Sequence, residues 1–513
     1  KETNWLFPAL AKKKITKKIN GIFSFTNDGN PLMGETSIKG LWSANAVWIT
    51  HAGGVGKAMA EWIVNGEPEL DVREGDINRF HKHHHVRKYL RARGKQNYRE
   101  VYDIIHPLQQ MDQPRPLRRS PFYSRLGDQK AKFFEVMGWE RPQWYEANKD
   151  LLKGKNFPNR TGWSAKYWSP IQAAEHLITR QTGALFDITG FVKIEVSGKG
   201  ALELLQKVCT NNIDVKIGKV VYTVISNIYG GIKSDLTVSR LEEDKFWILA
   251  GAGNGMIDLS WFKENAPKDG SVIIIDWTSA YAGVGLWGPN SRKVLESLCE
   301  DDDVSNEAFP FFSIKNLSIS HVPCIAVRIS YIGELGWEIY TPTEYGLTLW
   351  DELKEKSQEF NMICSGAGAF ESLRLEKGYR SLGADIHTNS NPYEAGLGFT
   401  VKLKKEQNFI GKEALSKLKQ ETLKQKLCCM IMEDNEGMAL GKEPIYDKSS
   451  NPVGYVTSTN YGYFIDKHIL YGYLPSTHSK EGTKLEVGYF GKRYPVIVTK
   501  EPLLDPENKR LRS

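Results

Sequence analysis

The sequence predicts an α+β protein whose C-terminal part is all β. Strand and helix signals alternate over residues 156–420, which is typical of a mixed fold. Residues 421–513 show only short strand-like runs separated by turns, and these predict a small barrel or sandwich. The chain has 513 residues, of which 41% are hydrophobic and 25% charged, the balance of a globular protein. That length predicts roughly three or four domains.

The composition excludes several classes of function. The net charge is +7, but the lysines are spread along the chain without a basic, aromatic-rich stripe, so we expect no nucleic-acid partner. Six cysteines without a CxxC pair predict buried free thiols in a reducing compartment and no zinc site. No apolar run is long enough for a membrane span. We expect a cytoplasmic protein, or a mitochondrial-matrix protein if the source is eukaryotic, and the oligomeric state is open.

Residues 1–66 predict a strand, a turn and a helix. Leu41–Thr50 favours a buried strand, His51–Gly56 a glycine-rich turn, and Lys57–Val64 an amphipathic helix that stops at Asn65-Gly66. This geometry can present backbone N–H groups to a ligand, but the dinucleotide fingerprint G-x-G-x-x-G is absent, so a structural role is favoured. The chain begins without Met and without the apolar core of a signal peptide. We therefore expect a fragment that starts inside a larger domain.

A run of histidines stands in the predicted connector, residues 67–155. It comprises His81, His83, His84 and His85. The spacing does not fit one helix face and no cysteine lies nearby, so we expect a solvated surface and no metal.

The stretch Tyr222–Arg240 predicts a β-hairpin that carries an acid. Tyr222–Ile228 is rich in β-branched and aromatic residues, Tyr229–Gly231 is typical of a turn, and a second apolar run follows. Asp235 therefore stands just past a tight turn, at the start of a strand. An isolated Asp there is most simply solvated. The alternative is a carboxylate on a rigid element, aimed at a nitrogen-rich ligand.

Two further charged residues occupy apolar surroundings. Glu338 lies between Trp337 and Ile339 in a strand-like segment, where burial without a partner is costly, so it either faces solvent or binds a donor. Arg374 lies in a predicted helix over residues 368–378, and its default partner is Glu371 at i−3.

The remaining predictions are helices over Ala173–Gln181, Gly200–Cys209 and Ser291–Cys299, and strands over Leu185–Asp187, Val192–Val196, Phe246–Ala250, Val272–Ile275, Ala326–Tyr331, Cys428–Met432, Val453–Ser458, Ile469–Tyr473, Leu485–Tyr489 and Val496–Thr499.

Motifs in collinear order over nearly the whole chain carry a family resemblance. They include AVWITHAGGVGKAMAEW, YDIIHPLQ, GWERPQW, GGIKSDLTVSRL, RISYIGELGWEIY, SLRLEKGYRSLGADI, NPYEAGLGF and GYVTSTNYGY. From about Phe23 onward the sequence resembles the dimethylglycine oxidase, dimethylglycine dehydrogenase and sarcosine dehydrogenase family. The motifs GLWGP, RLEKGYRS, GKEP and DPENKRLR are most similar to the bacterial dimethylglycine oxidase branch.

The resemblance implies a flavoprotein fused to a folate-binding aminomethyltransferase module like the glycine-cleavage T protein. Residues 1–66 would be the C-terminal remnant of an FAD-dependent amine-oxidase (DAO-like) domain, and residues 67–155 a connector. Residues 156–420 would form a three-lobed module that holds tetrahydrofolate in its central opening, and residues 421–513 its β-barrel. The family's dinucleotide fingerprint and the histidine that carries covalent FAD do not occur here. The amine-oxidising half would therefore be incomplete and the folate half whole.

The resemblance also implies a reaction. In this family FAD takes a hydride equivalent from an N-methyl group of dimethylglycine, leaving an iminium. The one-carbon unit passes to tetrahydrofolate, which gives 5,10-methylenetetrahydrofolate and sarcosine; without folate, water releases formaldehyde. The implied enzyme is an oxidase or dehydrogenase with a small amine and tetrahydrofolate as its partners. A sarcosine dehydrogenase-like enzyme, a stand-alone folate aminomethyltransferase and a non-catalytic regulatory relative are alternatives, and the retained Asp235 favours catalysis.

Five residues match the family's folate site. Asp235 would be catalytic, by accepting a proton or stabilising positive charge. Glu338 would accept N–H bonds from the pterin ring. Tyr222 and Tyr331 would line the same pocket through stacking and hydroxyl bonds, and Arg374 resembles a folate-contacting arginine. We expect the two acids to converge on one pterin-shaped hollow.

For FAD, the resemblance implies only the last flavin-contacting segment. Glycines there permit close backbone approach, so we expect backbone contacts more than side-chain chemistry, and no tight FAD binding by this chain alone. The cofactor-binding residues of the segment are Val47, Trp48, Ile49, Thr50, His51, Ala52, Gly53 and Gly54.

Overall fold

The structure is a computed structural model, and it describes residues 5–434 and 437–513. Its fold is α+β and ends in a closed barrel, as predicted. All six cysteines are buried and unpaired, which confirms the prediction of free thiols. Within the described ranges, no helix combines the length and the apolar character that crossing a bilayer requires.

The N-terminal part differs from the sequence prediction. Strands β1 (Leu32–Glu35) and β2 (Trp42–Asn45) form a small antiparallel sheet, and helix α1 spans Ala52–Asn65. The predicted buried strand Leu41–Thr50 is wrong, because the strand ends at Asn45 and Ile49 is 95% exposed. The glycine-rich turn is also wrong, because α1 begins at Ala52 and includes those glycines. The predicted end of the helix is confirmed, with Gly66 in a left-handed conformation (φ 88°).

The connector contains two helices and a hairpin: α2 (Arg87–Glu100), α3 (Tyr123–Asp128), β3 (Ala131–Val136) and β4 (Trp139–Tyr145). Its histidine run forms a short 3-10 turn, and His84 is buried against the rings of Phe80 and Tyr89. The expectation of a solvated surface is therefore wrong for His84. Among the described residues no cluster of potential ligands is arranged to hold a metal ion.

Two sheets pack face to face in the central part of the chain. In spatial order, the first sheet contains β10 (Ile273–Asp276), β6 (Val192–Ser197), β9 (Lys245–Ala250), β8 (Ile232–Glu242) and β7 (Val220–Ser226). The second sheet contains β12 (Ile314–Ile319), β13 (Val322–Val327), β14 (Gly336–Pro342), β11 (Tyr281–Trp287), β5 (Ala184–Asp187) and β15 (Ile363–Cys364). The predicted strand Ala326–Tyr331 is displaced, because β13 ends at Val327 and Tyr331 follows it in a loop.

Seven helices accompany the two sheets. They are α4 (Ile171–Gln181), α5 (Ala201–Val208), α6 (Gly255–Asn265), α7 (Ser291–Glu296), α8 (Gly346–Glu359), α9 (Ala367–Glu376) and α10 (Lys412–Gln420). Ala369 and Leu373 of α9 pack with Trp247 in the layer between the sheets. Leu236 and Val238 of β8 pack with α5 and α6 on the outside of the first sheet. Trp337 and Ile339 of β14 pack with α7 and α8 on the outside of the second. Because strand side chains alternate, the neighbouring residues of β8 and β14 face the layer between the sheets.

A buried ion-pair network anchors α9. The carboxylate of Glu376 lies 3.0 Å from Arg180 and 3.1 Å from Nε2 of His176, both on α4. Arg180 also pairs with Glu334 at 2.8 Å, and all of these side chains are at most 1% exposed. The network fixes the positions of α4, α9 and the turn before β14 relative to one another.

The C-terminal strands close into a six-stranded barrel, which decides between the predicted barrel and sandwich. Around the barrel the strands are β16 (Gln425–Met432), β19 (Lys467–Pro475), β18 (Pro452–Gly462), β17 (Pro444–Tyr446), β20 (Lys484–Tyr489) and β21 (Lys492–Thr499). A last short helix, α11 (Lys509–Arg512), returns to the central part, where Arg510 bonds to Glu334.

Candidate functional site

Asp235 and Tyr222 lie side by side on the hairpin of β7 and β8. The Tyr222 hydroxyl donates a 2.9 Å hydrogen bond to Oδ2 of Asp235. Leu236 and Val238 point to the outer helices, so Asp235 points the other way, toward the second sheet. Both members of the pair are partly buried. Asp235 is therefore not a solvated surface carboxylate in this structure.

The two glycines before Asp235 are required by the turn. Gly230 has φ 84°, in the left-handed region that favours glycine. A Cβ atom on Gly231 would lie 1.9 Å from the carbonyl oxygen of Thr388, so no larger residue fits there. The Oδ1 atom of Asn227 accepts the N–H of Gly231 at 2.7 Å and closes the turn. The motif thus places Asp235 on a rigid strand.

Burial sets the proton affinity of this pair. It raises the pKa of Asp235 to about 6, and the hydrogen bond from Tyr222 only partly reverses that increase. Burial and the neighbouring carboxylate raise the pKa of Tyr222 well above its usual value, so the phenol stays protonated. A carboxyl group with a pKa near 6 can accept or release a proton close to neutral pH.

Tyr331 joins the same group of side chains. Its ring stacks on Phe370 of α9 at 5.2 Å and on Tyr379 at 5.9 Å. Burial raises the pKa of Tyr331, and the charge of Asp235 contributes to the increase. The aromatic surroundings of Tyr331 supply flat apolar surface.

Arg374 serves the framework in this structure. Its guanidinium donates to Glu371, to Asp385 at 2.7 Å and to the hydroxyl of Ser458 at 2.8 Å, and also to the carbonyl of Tyr379. The default expectation of a pair with Glu371 is confirmed. These bonds occupy all five N–H groups, so direct contact with a ligand would require one of them to be exchanged.

Glu338 occupies the second sheet and is 5% exposed. The hydroxyl of Tyr340 donates a 2.6 Å hydrogen bond to its Oε2 atom. Burial raises the pKa of Glu338 to about 7, while Tyr340 and the charge of Lys193 act to lower it. Lys193 is itself fully buried; its ammonium group donates to the carbonyls of Thr189 and Phe191 at 2.8 and 2.9 Å. A buried acid with this pKa changes charge near neutral pH.

The two acids lie on facing surfaces. Tyr340 lies on the same face of β14 as Glu338. Its ring is 5.2 Å from the ring of Trp247 of β9, and this contact joins the inner faces of the two sheets. Asp235 is on the inner face of β8, next to β9. Among the described residues, none is hydrogen-bonded to both acids. Their binding of one shared ligand stays a prediction.

Four site residues were not predicted from the sequence. Tyr340 and Lys193 both alternate with apolar residues on strands, and that pattern was sufficient to place them on an inner face. Phe370 stacks on Tyr331, and Phe399 stacks on Tyr222 at 6.2 Å with 62% of its surface exposed. These two aromatic residues come from segments distant in sequence, and no local signal marks them.

The predicted flavin-contacting segment lies on the surface. Trp48 stacks on Phe23 at 5.9 Å, and Thr50 and His51 line an open cavity of about 540 Å³ with residues of α2. A Cβ atom on Gly53 or Gly54 would meet nothing within 4 Å, so space for a close backbone approach is present. Contact of this segment with FAD stays a prediction.

Three family models match the chain. The GCVT N-terminal domain matches residues 122–405, more than half of the sequence. The FAD dependent oxidoreductase central domain matches residues 65–120. The glycine cleavage T-protein C-terminal barrel domain matches residues 425–505.

Several relatives are similar over nearly the whole chain. Dimethylglycine dehydrogenase, mitochondrial, of Homo sapiens is 34% identical over 99% of the chain and 58% of that protein. The 4-methylaminobutanoate oxidase (formaldehyde-forming) of Paenarthrobacter nicotinovorans is 34% identical over 98% of the chain and 61% of that protein. Sarcosine dehydrogenase, mitochondrial, of Homo sapiens is 30% identical over 98% of the chain and 60% of that protein. The chain thus spans about three fifths of the length of these relatives.

A solved structure supports the fold. The glycine cleavage system aminomethyltransferase T from Bartonella henselae superposes with a TM-score of 0.65 at 26% identity, covering 76% of this chain and 98% of that one.

Proposed function

We propose a function from the premise that this chain belongs to the dimethylglycine dehydrogenase and sarcosine dehydrogenase family. The proposed activity is oxidative N-demethylation of dimethylglycine to sarcosine, linked to transfer of the one-carbon unit to tetrahydrofolate. The product on the folate side is 5,10-methylenetetrahydrofolate. This chain contributes the folate-binding and transfer half, with domains over residues 1–66, 67–155, 156–420 and 421–513.

One observation carries the folate proposal: Asp235, which is partly buried, and Glu338, which is buried, occupy the facing inner surfaces of two packed sheets, and each accepts a hydrogen bond from a phenol. Burial of a carboxylate without a full set of donors is costly. A pterin ring offers several N–H groups along its edges, and it can satisfy acceptors that the protein leaves incompletely bonded. The stacked rings around Tyr331 suit the flat face of the same molecule.

Asp235 is the proposed catalytic residue. It accepts the proton that the folate nitrogen loses when that nitrogen bonds to the electrophilic carbon of the iminium. Tyr222 holds the carboxylate in place and limits its pKa to about 6, so most of it is ionised at pH 7 and can take the proton. While positive charge develops on the nitrogen, the nearby carboxylate also stabilises it.

Glu338 is proposed to bind and orient the pterin. Its carboxylate accepts N–H bonds, which are stronger when the acceptor is charged. Lys193 favours that charged form while it is protonated, because its positive charge acts to lower the pKa of Glu338; burial lowers the pKa of Lys193 itself to about 7. Tyr222 and Tyr331 line the pocket, and Arg374 acts indirectly by holding α9 through Glu371 and Asp385.

FAD, when bound, supplies the oxidation by accepting the hydride equivalent. The residues of this chain proposed to approach it are those of the segment Val47–Gly54, through backbone N–H groups beside Gly53 and Gly54. The amine is proposed to be dimethylglycine. Sarcosine, and the substrate class named for the Paenarthrobacter oxidase, are the alternatives that an assay must separate.

The test is binding and transfer by the purified chain. Tetrahydrofolate should bind with one-to-one stoichiometry in a calorimetric titration, and Asp235→Asn should retain binding while transfer from formaldehyde-derived iminium slows at least tenfold. Normal transfer by that variant excludes the catalytic role of Asp235. Absence of folate binding by the wild-type chain favours the regulatory alternative.

A further inference from the structure

The turn between β7 and β8 is held from outside the two sheets, by the segment that follows helix α1. The helix ends at Gly66, and Glu67 comes next with only 5% of its surface exposed. One carboxylate oxygen of Glu67 accepts the backbone N–H of Ile228 at 2.8 Å, just before the turn. The other oxygen pairs with the ammonium group of Lys233, just after the turn. A single carboxylate therefore binds both arms of the hairpin.

Further contacts strengthen this attachment. The hydroxyl of Tyr229, in the turn, donates to the backbone carbonyl of Glu67 at 3.2 Å and accepts from the side-chain amide of Asn65 at 3.3 Å. The ammonium group of Lys233 also lies 3.7 Å from the centre of the Trp261 ring on α6. Only 22% of the Lys233 side chain is exposed. Because partly buried ion pairs are screened by water and salt much less than exposed ones, the pair with Glu67 can hold the turn in place.

The orientation of Asp235 depends on the strand register that this pair holds. Two consecutive residues of β7, Ile225 and Ser226, lie opposite residues of β8 that are two apart, so Lys233 between them has no partner in β7. Lys233 is therefore the extra residue of a β-bulge, two positions before Asp235. Because strand side chains alternate, a register change of one residue would turn Asp235 to the other face of the sheet.

We propose that Glu67 is a positioning residue for Asp235. By anchoring the bulged Lys233 and the N–H of Ile228, Glu67 fixes the register of β8 and so brings the carboxylate of Asp235 to the hydroxyl of Tyr222. Glu67 itself contacts no reacting group. The proposal rests on the proposed function, because Asp235 is the proton acceptor assigned there.

The test is the pH–rate profile of methylene transfer to tetrahydrofolate by the purified chain carrying Glu67→Ala. Loss of the anchor loosens the hydrogen bond from Tyr222 to Asp235, so the acidic limb should move to higher pH by about half a pH unit or more. The value of kcat at pH 7 should fall severalfold. Direct electrostatics predicts the opposite direction, because removing a negative charge lowers the pKa of a nearby carboxyl group. The direction of the shift therefore separates positioning from charge.

Two further variants sharpen the test. In a Tyr222→Phe background the hydrogen bond to the acid no longer exists, so adding Glu67→Ala should displace the limb no further. Glu69→Gln is the matched control. Glu69 lies two residues along the same segment, is 63% exposed at its side chain and has its carboxylate 4.0 Å from Lys57. Its profile should match that of the wild type.

An acidic limb that stays in place or moves to lower pH in Glu67→Ala would overturn the proposal. Additive shifts in the double variant, or an equal shift in Glu69→Gln, would do the same. If circular dichroism shows that Glu67→Ala is unfolded, Glu67→Asp decides. It keeps the charge, but its shorter side chain cannot reach both Ile228 and Lys233, so its limb should also move to higher pH and an unmoved limb refutes the role of Glu67. Failure of the proposed function is distinguishable, because it appears as absent transfer by the wild-type chain.

Discussion

The hydroxyl of Tyr222 lies 2.9 Å from Oδ2 of Asp235 and donates a hydrogen bond to it. The bond stabilises the ionised carboxylate, while burial opposes ionisation and brings the pKa of Asp235 to about 6. The strand pair thus holds an acid that titrates near the pH at which a proton acceptor works best. The predictions for Asp235 follow from this balance.

Tyr222→Phe should move the acidic limb of the pH–rate profile to higher pH. The substitution removes the hydrogen bond that favours the ionised form, so the pKa of Asp235 rises above about 6 and less of the base is available at a given pH. The measurement is methylene transfer to tetrahydrofolate between pH 5 and 9, with about one pH unit of displacement expected from a lost bond to a charged group.

The control for that shift is Tyr463→Phe, which removes a buried phenol beside His176 and far from the hairpin in sequence. Its pH–rate profile should match that of the wild type. A limb that stays in place in Tyr222→Phe, or that moves equally in both variants, would contradict the assigned role of the hydrogen bond.

Asp235→Asn should raise the free energy of unfolding at pH 8. Because the pKa in the folded state exceeds the usual value of 3.8, the ionised acid destabilises the fold above about pH 6, and this cost disappears below about pH 4. The amide carries no such cost and still accepts a bond from Tyr222. Denaturant titrations should show a gain of about 1–3 kcal/mol at pH 8 that vanishes at pH 4. A variant that is less stable than the wild type at pH 8 refutes this electrostatic description.

Glu338→Gln should weaken tetrahydrofolate binding about tenfold at pH 8, or about 1.4 kcal/mol. The wild-type affinity should rise with pH through about 7, because burial raises the pKa of Glu338 to that value and only the carboxylate accepts charge-assisted bonds. In the variant this pH dependence should be lost. The measurement is the dissociation constant at pH 6, 7 and 8, with Glu352→Gln on α8 as the matched control. Equal pH dependence in wild type and Glu338→Gln would exclude Glu338 as the titrating group.

Lys193→Met should shift the same midpoint to higher pH. Removing the buried ammonium group removes the charge that favours ionised Glu338, so binding at pH 7 should weaken while binding at pH 9 recovers. The titration series used for Glu338→Gln measures this directly. If affinity falls equally at every pH, Lys193 supports the fold rather than the charge of Glu338.

Glu376→Gln should destabilise the protein by about 3 kcal/mol, because it leaves buried Arg180 without its full set of acceptors. Burial opposes ionisation of Glu376, but His176 and Arg180 outweigh it and lower its pKa to about 2. Its contribution is therefore present above about pH 4.5 and is lost as the pH falls toward 2. Glu359→Gln, which breaks an exposed pair with Lys356, should change stability by less than about 0.5 kcal/mol. Similar losses in both variants would contradict the importance of the buried network.

Local patterns predicted much of this structure. The β-branched run from Tyr222, the following Gly-Gly and the apolar alternation after it were sufficient to place Asp235 on a hairpin strand. The five barrel strands predicted in residues 421–513 are all present. In these segments the decisive interactions, strand pairing and turn geometry, are encoded by neighbouring residues.

Tertiary packing explains the errors. The glycines after His51 suggested a turn, but they lie in the exposed first turns of a helix. No other residue packs close enough to them to favour a non-helical conformation. His84 stands in a polar run of the sequence, yet the rings of Phe80 and Tyr89 bury it. The bonding of Arg374 to Asp385 and Ser458, and the stacking of Phe399 on Tyr222, join segments far apart along the chain. No window of sequence contains that information.

The most direct measurement is a crystal structure of this chain with tetrahydrofolate bound. We expect one molecule between the two sheets, with a carboxylate oxygen of Asp235 and one of Glu338 each within about 3.2 Å of a folate nitrogen. A folate bound elsewhere, or one that contacts only one of these two acids, would contradict the account.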